Sequence, residues 1–193
     1  MFWFHETITD FDAGQERIRA RRYGVIEIVG GQFHAIRLRP WPKLVSLPEV
    51  WPQGSRYHAG GEPDRCLLFY NQPWRMPNFL ALKYVISTAG TSYATSRAAL
   101  TTLDAIAALK QTDAIVCDAG NLRLSDRLMA RLGWEAHKPQ RWHRNFIRRF
   151  YGTYPAAVVP QRSIGKSASD ASGEQGCFVG PVVASDIVGA LSA

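Results

Sequence analysis

A chain of 193 residues, 46% hydrophobic and 20% charged, is long enough to bury one core and fits a single globular domain with a tail. Its 11% aromatic content, with six Trp, excludes wholesale disorder, and no window approaches the roughly 18 consecutive apolar residues of a membrane span. The formal charge of +7 is unevenly placed: residues 136–169 hold seven basic side chains and no acid, leaving 16 basic against 16 acidic residues elsewhere.

That basic segment (Lys138, Arg141, Arg144, Arg148, Arg149, Arg162 and Lys166) suits an anion such as a phosphate, a nucleic acid or an acidic protein, and equally a solvated rim. The opening residues, Met1 to Glu6, carry no basic leader followed by an apolar run. With no membrane span in the sequence, the expectation is a cytoplasmic protein without membrane contact. Cys66, Cys117 and Cys177 are too scattered for a CxxC pair, a zinc site or a disulfide framework. His5, His34, His58, His137 and His143 have no metal-ligand spacing, so no metal is expected. Cys117 sits in an apolar run and reads as a small buried hydrophobe.

Asp10 or Asp12 is placed to cap a helix running to about Arg22, whose basic end suits the negative pole of a helix dipole. Two β-rich runs, residues 25–29 and 33–39, flank Gly30-Gly31 and predict a hairpin with Glu27 in its first strand. Residues 40–78 form an irregular insertion with seven prolines, interleaved with Trp41, Trp51, Tyr57, Tyr70 and Trp74. A short helix over residues 65–71 is the one element expected inside it.

Phe79–Ser87 is a nearly continuous apolar run, as in a strand covered on both faces. A small-residue loop over 89–94 leads to a helix capped by Thr95 or Ser96 and ending near Gln111, with Ala99, Leu100, Leu103, Ile106 and Ala107 as its buried stripe. Residues 114–117 predict a short central strand. Residues 122–132 predict an amphipathic helix stopped by Gly133, and 145–151 a last strand. The order β-α-β-α-β implies an α/β layer architecture. Residues 155–193, rich in Ala, Ser, Gly and Val, read as a flexible tail.

The stretch from Asn121 through Leu132-Gly133-Trp134 resembles the later signature segment of the GNAT acyltransferases, where an Asn closing a strand precedes a helix that ends in Leu-Gly-aromatic. The resemblance extends over roughly residues 10–151 and is specific over 79–151. It implies a GNAT-like mixed central sheet flanked by helices in one domain, residues 1–154. It also implies acetyl-CoA or another acyl-CoA held where the two central strands splay, with its pyrophosphate on the following helix. In place of the family's glycine-rich loop the chain has a single glycine, Gly90. The residues that the resemblance assigns to the cofactor are therefore Thr91, Ser92, Thr95 and Ser96 as hydroxyl donors, Arg97 as a phosphate partner, and Asn121. The same residues also make an ordinary turn and helix cap.

Acyl transfer to an amine needs a base and, in many members, a Tyr that protonates the departing thiolate. Counting back from Gly133 puts that Tyr position at Met129, and counting forward from Asn121 puts it at Leu128; neither side chain transfers a proton. The strand 79–87 has no carboxylate, which leaves Glu27 as a conceivable base and Tyr84 and Tyr93 as conceivable acids. No catalytic residue is assigned, and no acceptor is indicated. The leading expectation is a divergent acyl-CoA-binding protein that transfers an acyl group. One alternative is a GNAT-like binding protein without catalysis. The other is a basic nucleic-acid-associated protein, resting on residues 141–151, whose aromatics the terminal strand explains without nucleic acid.

Overall fold

A computed structural model of the protein describes residues 6–42, 64–88, 90–119, 125–138, 144–156, 159–160 and the backbone of 182–183. The Gly30-Gly31 pair takes positive φ angles of 56° and 74° and turns β2 (Tyr23–Val29) back onto β3 (Gln32–Arg39), as the sequence predicts. The remaining strands are β1 (Glu6–Ile8), β4 (Arg65–Asn71), β5 (Phe79–Ser87), β6 (Ala114–Asp118), β7 (Glu135–Ala136), β8 (Asn145–Arg149) and β9 (Val182–Val183). Eight of them form one mixed sheet in the order β1-β3-β2-β4-β5-β6-β8-β7, and β9 pairs with β5 off this path. β5 and β6 are parallel; the other pairs are antiparallel. The protein is thus of the α/β class with one mixed sheet.

The helix expected over residues 65–71 is instead β4, inserted between β2 and β5. A run of four apolar residues, Leu67 to Tyr70, satisfies either period, and the two neighbouring strands decide for extension. Residues 43–63 of the insertion lie outside the described residues. β1, β7 and β9 are too short to leave a periodic signal.

Three helices are described: α1 (Gln15–Ala20), α2 (Tyr93–Leu109) and α3 (Asp126–Arg131). The first is shorter than expected, because Asp10 accepts the N–H groups of Asp12 and Ala13 at 2.9 and 3.1 Å and so caps a turn, leaving Gly14 as the N-cap. The cap of α2 is Ser92 instead of Thr95 or Ser96, its hydroxyl accepting the Thr95 N–H at 3.1 Å. Ser125 caps α3 in the same way, and Gly133 follows in the left-handed conformation, φ 80°. Residues 121–124 of the predicted amphipathic segment lie outside the described residues.

All three helices bury their apolar side chains on one face of the sheet. Ile18 of α1, Leu103 and Ile106 of α2 and Met129 of α3 share a single cluster with Ile26, Ile28, Leu68 and Leu80. A small second cluster on the opposite face joins Ala81, Ala114, Val116 and Ile147. Within the main cluster the fully buried Tyr70 lies across Gly24, its cross-strand partner, where a Cβ would come within 2.6 Å of the phenol oxygen. Glycine leaves the room that the ring fills.

Most of residues 155–193 lies outside the described residues. Two points of that segment touch the sheet: the Pro160 carbonyl accepts the Phe33 N–H at 2.7 Å, and β9 pairs with β5.

Candidate functional site

The parallel pair β5–β6 follows from its composition, since both strands are nearly all apolar and a crossover through α2 joins them. The two strands stay paired from Phe79↔Ala114 to Leu82↔Cys117, and β5 then runs on to Ser87 without β6. β4 occupies the other edge of β5 along this length, from Cys66↔Ser87 to Asn71↔Ala81. A strand has two edges, so β9, which pairs Val183 with Tyr84 and Val182 with Val85, lies on the edge that β6 vacates. The parting of the two parallel strands is thus lined on one side by a segment of the chain itself.

Beneath this opening, on the helix-covered face, is a cavity of about 60 Å³. Leu82, Val85 and Cys117 come from the sheet, Leu100 from α2, and Met129 and Trp134 from α3 and the residues after it. The volume is several times the ~10–15 Å³ that one water needs, and an apolar lining of this kind favours a hydrocarbon group over water. The cavity lies at the C-terminal ends of parallel strands, the usual ligand crevice of open α/β sheets. A larger hollow of about 260 Å³ on the other face, running along β6 and β8, includes Phe79, Val116, His137 and Arg149. There Arg149 is already paired with Glu135.

Two arginines hold the α3 wall, Arg144 through Asp126 of α3 and Arg148. Arg148, on β8, reaches Asp104 of α2 at 2.8 Å and also donates to the Leu132 carbonyl at the end of α3. Burial pushes the Asp104 carboxyl up to about 6, against the opposing pull of Arg148. Gly133 makes room for this guanidinium, since a Cβ there would lie 2.7 Å from Arg148 Nη1. The two residues are not visible as a pair in the sequence, because β6, α3 and β7 lie between them.

At the N-terminus of α2 the structure brings together five of the six residues that the sequence assigned to a cofactor. Thr91 is buried, and its hydroxyl bonds the Thr88 carbonyl at 2.8 Å and the Arg65 carbonyl at 3.2 Å. Thr95 is fully buried and accepts the Gly31 N–H at 2.7 Å. Ser96 lines the cavity while donating to the Ser92 carbonyl at 3.2 Å. Arg97 is exposed and does not line the cavity. Asn121 lies outside the described residues. The residue that sequence reading missed is Asp64: its carboxylate accepts the Ser92 N–H at 2.7 Å and the Ser92 hydroxyl at 3.0 Å. An acid from the β4 approach therefore already sits where a helix N-terminus attracts an anion.

Of the conceivable acid–base groups, Glu27 and Tyr84 are enclosed in the sheet. Glu27, 3% exposed, is held between Arg37 at 2.6 Å and Arg65. Tyr84 is buried and stands edge-on to Phe69 at 6.1 Å between ring centroids. Cys66 and Cys117 both line the cavity, but burial first, and nearby Asp64 second, push the Cys66 thiol up to about 12. Burial and Asp118 raise Cys117 likewise. Neither is a thiolate at neutral pH, so neither is a ready nucleophile. Tyr93, at the first turn of α2, is half-exposed and is the one phenol on the cavity wall.

Among the described residues no helix is long and apolar enough to cross a membrane. The chain is similar to no family model, no curated protein and no solved structure in the three comparisons made.

Proposed function

We propose that the chain binds an acyl thioester of the CoA type, as a GNAT-like protein, with the acyl group in the cavity between β5, β6, α2 and α3. The observation that carries this reading is the parting of the parallel pair after Leu82 and Cys117 over an apolar cavity. It supports the splay that the resemblance implies. The β-α-β-α-β order of residues 79–149 and the Leu132-Gly133-Trp134 ending support it further.

Binding is the activity proposed, because among the described residues Tyr93 is the one conceivable acid–base group on the wall and no base accompanies it. Met129 stands in the cavity where the resemblance calls for a Tyr, and Glu27 is tied to two guanidinium groups. Asp64 on the α2 N-terminus opposes a phosphate there. Most of the affinity is therefore assigned to the acyl group and to the edge of β5 beyond Leu82, which suits an extended arm that takes the place of β9.

The test is a thermal melt with a series of acyl-CoAs. Each added methylene that enters the cavity contributes about 0.8 kcal/mol, so stabilisation should rise along the series until the cavity is full. Free CoA should shift the melt least. Leu100→Trp, which fills the cavity from α2, should abolish the dependence on chain length. Equal shifts for free CoA and every acyl-CoA, or none at millimolar ligand, would overturn the reading.

A further inference from the structure

The end of the sheet remote from the opening gathers cations that lie far apart in the sequence. β2 begins there, β3 and β4 end there, and α1 and α2 both finish there. The Arg22 carbonyl accepts the Gln72 N–H at 2.8 Å, and its guanidinium lies 4.1 Å over the Trp74 ring. The Lys110 ammonium donates to the carbonyls of Arg19 and Arg21 at 3.1 and 2.6 Å and to Gln72 Oε1 at 3.3 Å. Arg19 Nε donates to the Leu109 carbonyl at 3.1 Å. These bonds join residues 19–22, 72–75 and 109–111 into one surface, with five cations (Arg19, Arg21, Arg22, Arg75, Lys110) and no acid in those segments.

Six arginines elsewhere are compensated in place, while Arg97, Arg127, Arg131 and Lys138 are not among the described residues that face a carboxylate. Arg17, Arg37, Arg65, Arg144, Arg148 and Arg149 each face a carboxylate. Among the described residues, none of the five cations here does; their acceptors are carbonyls, an amide and an indole face. The C-termini of α1 and α2 absorb part of the charge through Arg19 and Lys110. Arg21 and Arg75 stand exposed beyond them. Burial, and then Arg22, lower the Lys110 ammonium to about 8, in keeping with a local excess of positive charge. Two indoles border the surface: Trp74 is 74% exposed, and Trp41, two residues past the end of β3, is 63% exposed.

We propose that this end binds single-stranded nucleic acid, with Arg21, Arg22 and Arg75 on phosphates and Trp74 and Trp41 stacking on bases. Uncompensated guanidinium groups attract any polyanion, but exposed indole faces add affinity only for a partner with open aromatic faces. An acidic peptide lacks those faces, and a duplex keeps them in its own stack. The surface is separate from the acyl cavity and does not depend on it.

The full chain would be titrated by tryptophan fluorescence with a strand of roughly ten nucleotides, its duplex, polyglutamate and anionic lipid vesicles. The single strand should bind best, quench fluorescence, and weaken with salt at about −0.7 in log K per log salt for each phosphate neutralised. Trp74→Ala should cost about tenfold in affinity. Arg21→Glu with Arg75→Glu should reduce both affinity and salt slope; both sites are exposed, so a melt should be unchanged. Polyglutamate, duplex or vesicles binding as tightly as the single strand would overturn the proposal. So would failure of the single strand to bind at low salt, or undiminished affinity in either variant.

Discussion

The two ends of the β5–β6 pair differ in how their charges are satisfied. At the C-terminal end, Asp64 sits on the Ser92 N–H, and behind the α2–α3 wall Arg148 sits on Asp104, so the chain satisfies these charges itself. At the N-terminal end, five cations meet, among the described residues, carbonyls, an amide and an indole but no carboxylate. The first end is arranged to exclude water and receive an apolar group; the second leaves a field for something outside the chain. One sheet can thus carry two surfaces of opposite chemistry, because its strand ends face away from each other.

The largest effect on this contrast should come from Arg148→Met. It leaves Asp104 buried without its cation and the Leu132 carbonyl without its donor, a loss of roughly 3–5 kcal/mol in denaturant unfolding. Adding Asp104→Leu should recover much of that loss. If the single substitution costs less than about 1 kcal/mol, the pair does not hold the cavity wall.

Asp104 gives this pair a pH signature. Its carboxyl is held near 6 in the fold against 3.8 ordinarily, so between these values the folded chain binds the proton and the unfolded chain does not. The contribution of this group is fully present below pH 3.8 and is lost as pH rises towards 6, by at most about 3 kcal/mol. Comparing unfolding free energy across this range in the native chain and in Asp104→Asn checks it. The variant should lack that decline, and an identical profile would reject the assignment.

Gly24→Ala places a methyl against the Tyr70 phenol and should destabilise by about 1–3 kcal/mol. Tyr70→Phe goes the other way. Among the described residues the buried Tyr70 hydroxyl has no hydrogen-bond partner, and burial raises its ionisation well above the usual range. Removing it should be neutral or stabilising by up to about 1 kcal/mol, read from the melting temperature. The smallest effect sharpens the comparison at the α2 N-terminus. If a CoA phosphate reaches that terminus, Asp64→Asn should tighten free CoA binding a few-fold in calorimetry, since the variant removes one negative charge. Unchanged affinity would place the phosphates elsewhere.

What the sequence revealed, and what it hid, follow the reach of each signal. β5 was legible to the residue because a doubly covered strand is apolar throughout, and the β2–β3 hairpin because two glycines mark its turn. The buried stripe of α2 was legible from its period, with Leu100 the least buried of the five residues named. β4 was hidden because only its neighbours in space make Leu67 to Tyr70 a strand. Asp64 was hidden because it caps Ser92 from 28 residues away, and β9 because two valines carry no period. The charge count placed the whole +7 in residues 136–169, yet Arg144, Arg148 and Arg149 of that segment are paired in the fold. The uncompensated cations came from three segments that are individually unremarkable in sequence.

The acyl-binding account is tested most directly by a crystal structure of the chain soaked with an acyl-CoA whose acyl group fits the cavity. The account predicts the acyl group between Leu82 and Met129, with the extended arm along Tyr84 and Val85 and β9 displaced from that edge. An occupied ligand elsewhere on the molecule, with the cavity empty and Val182–Val183 still paired to β5, would contradict it.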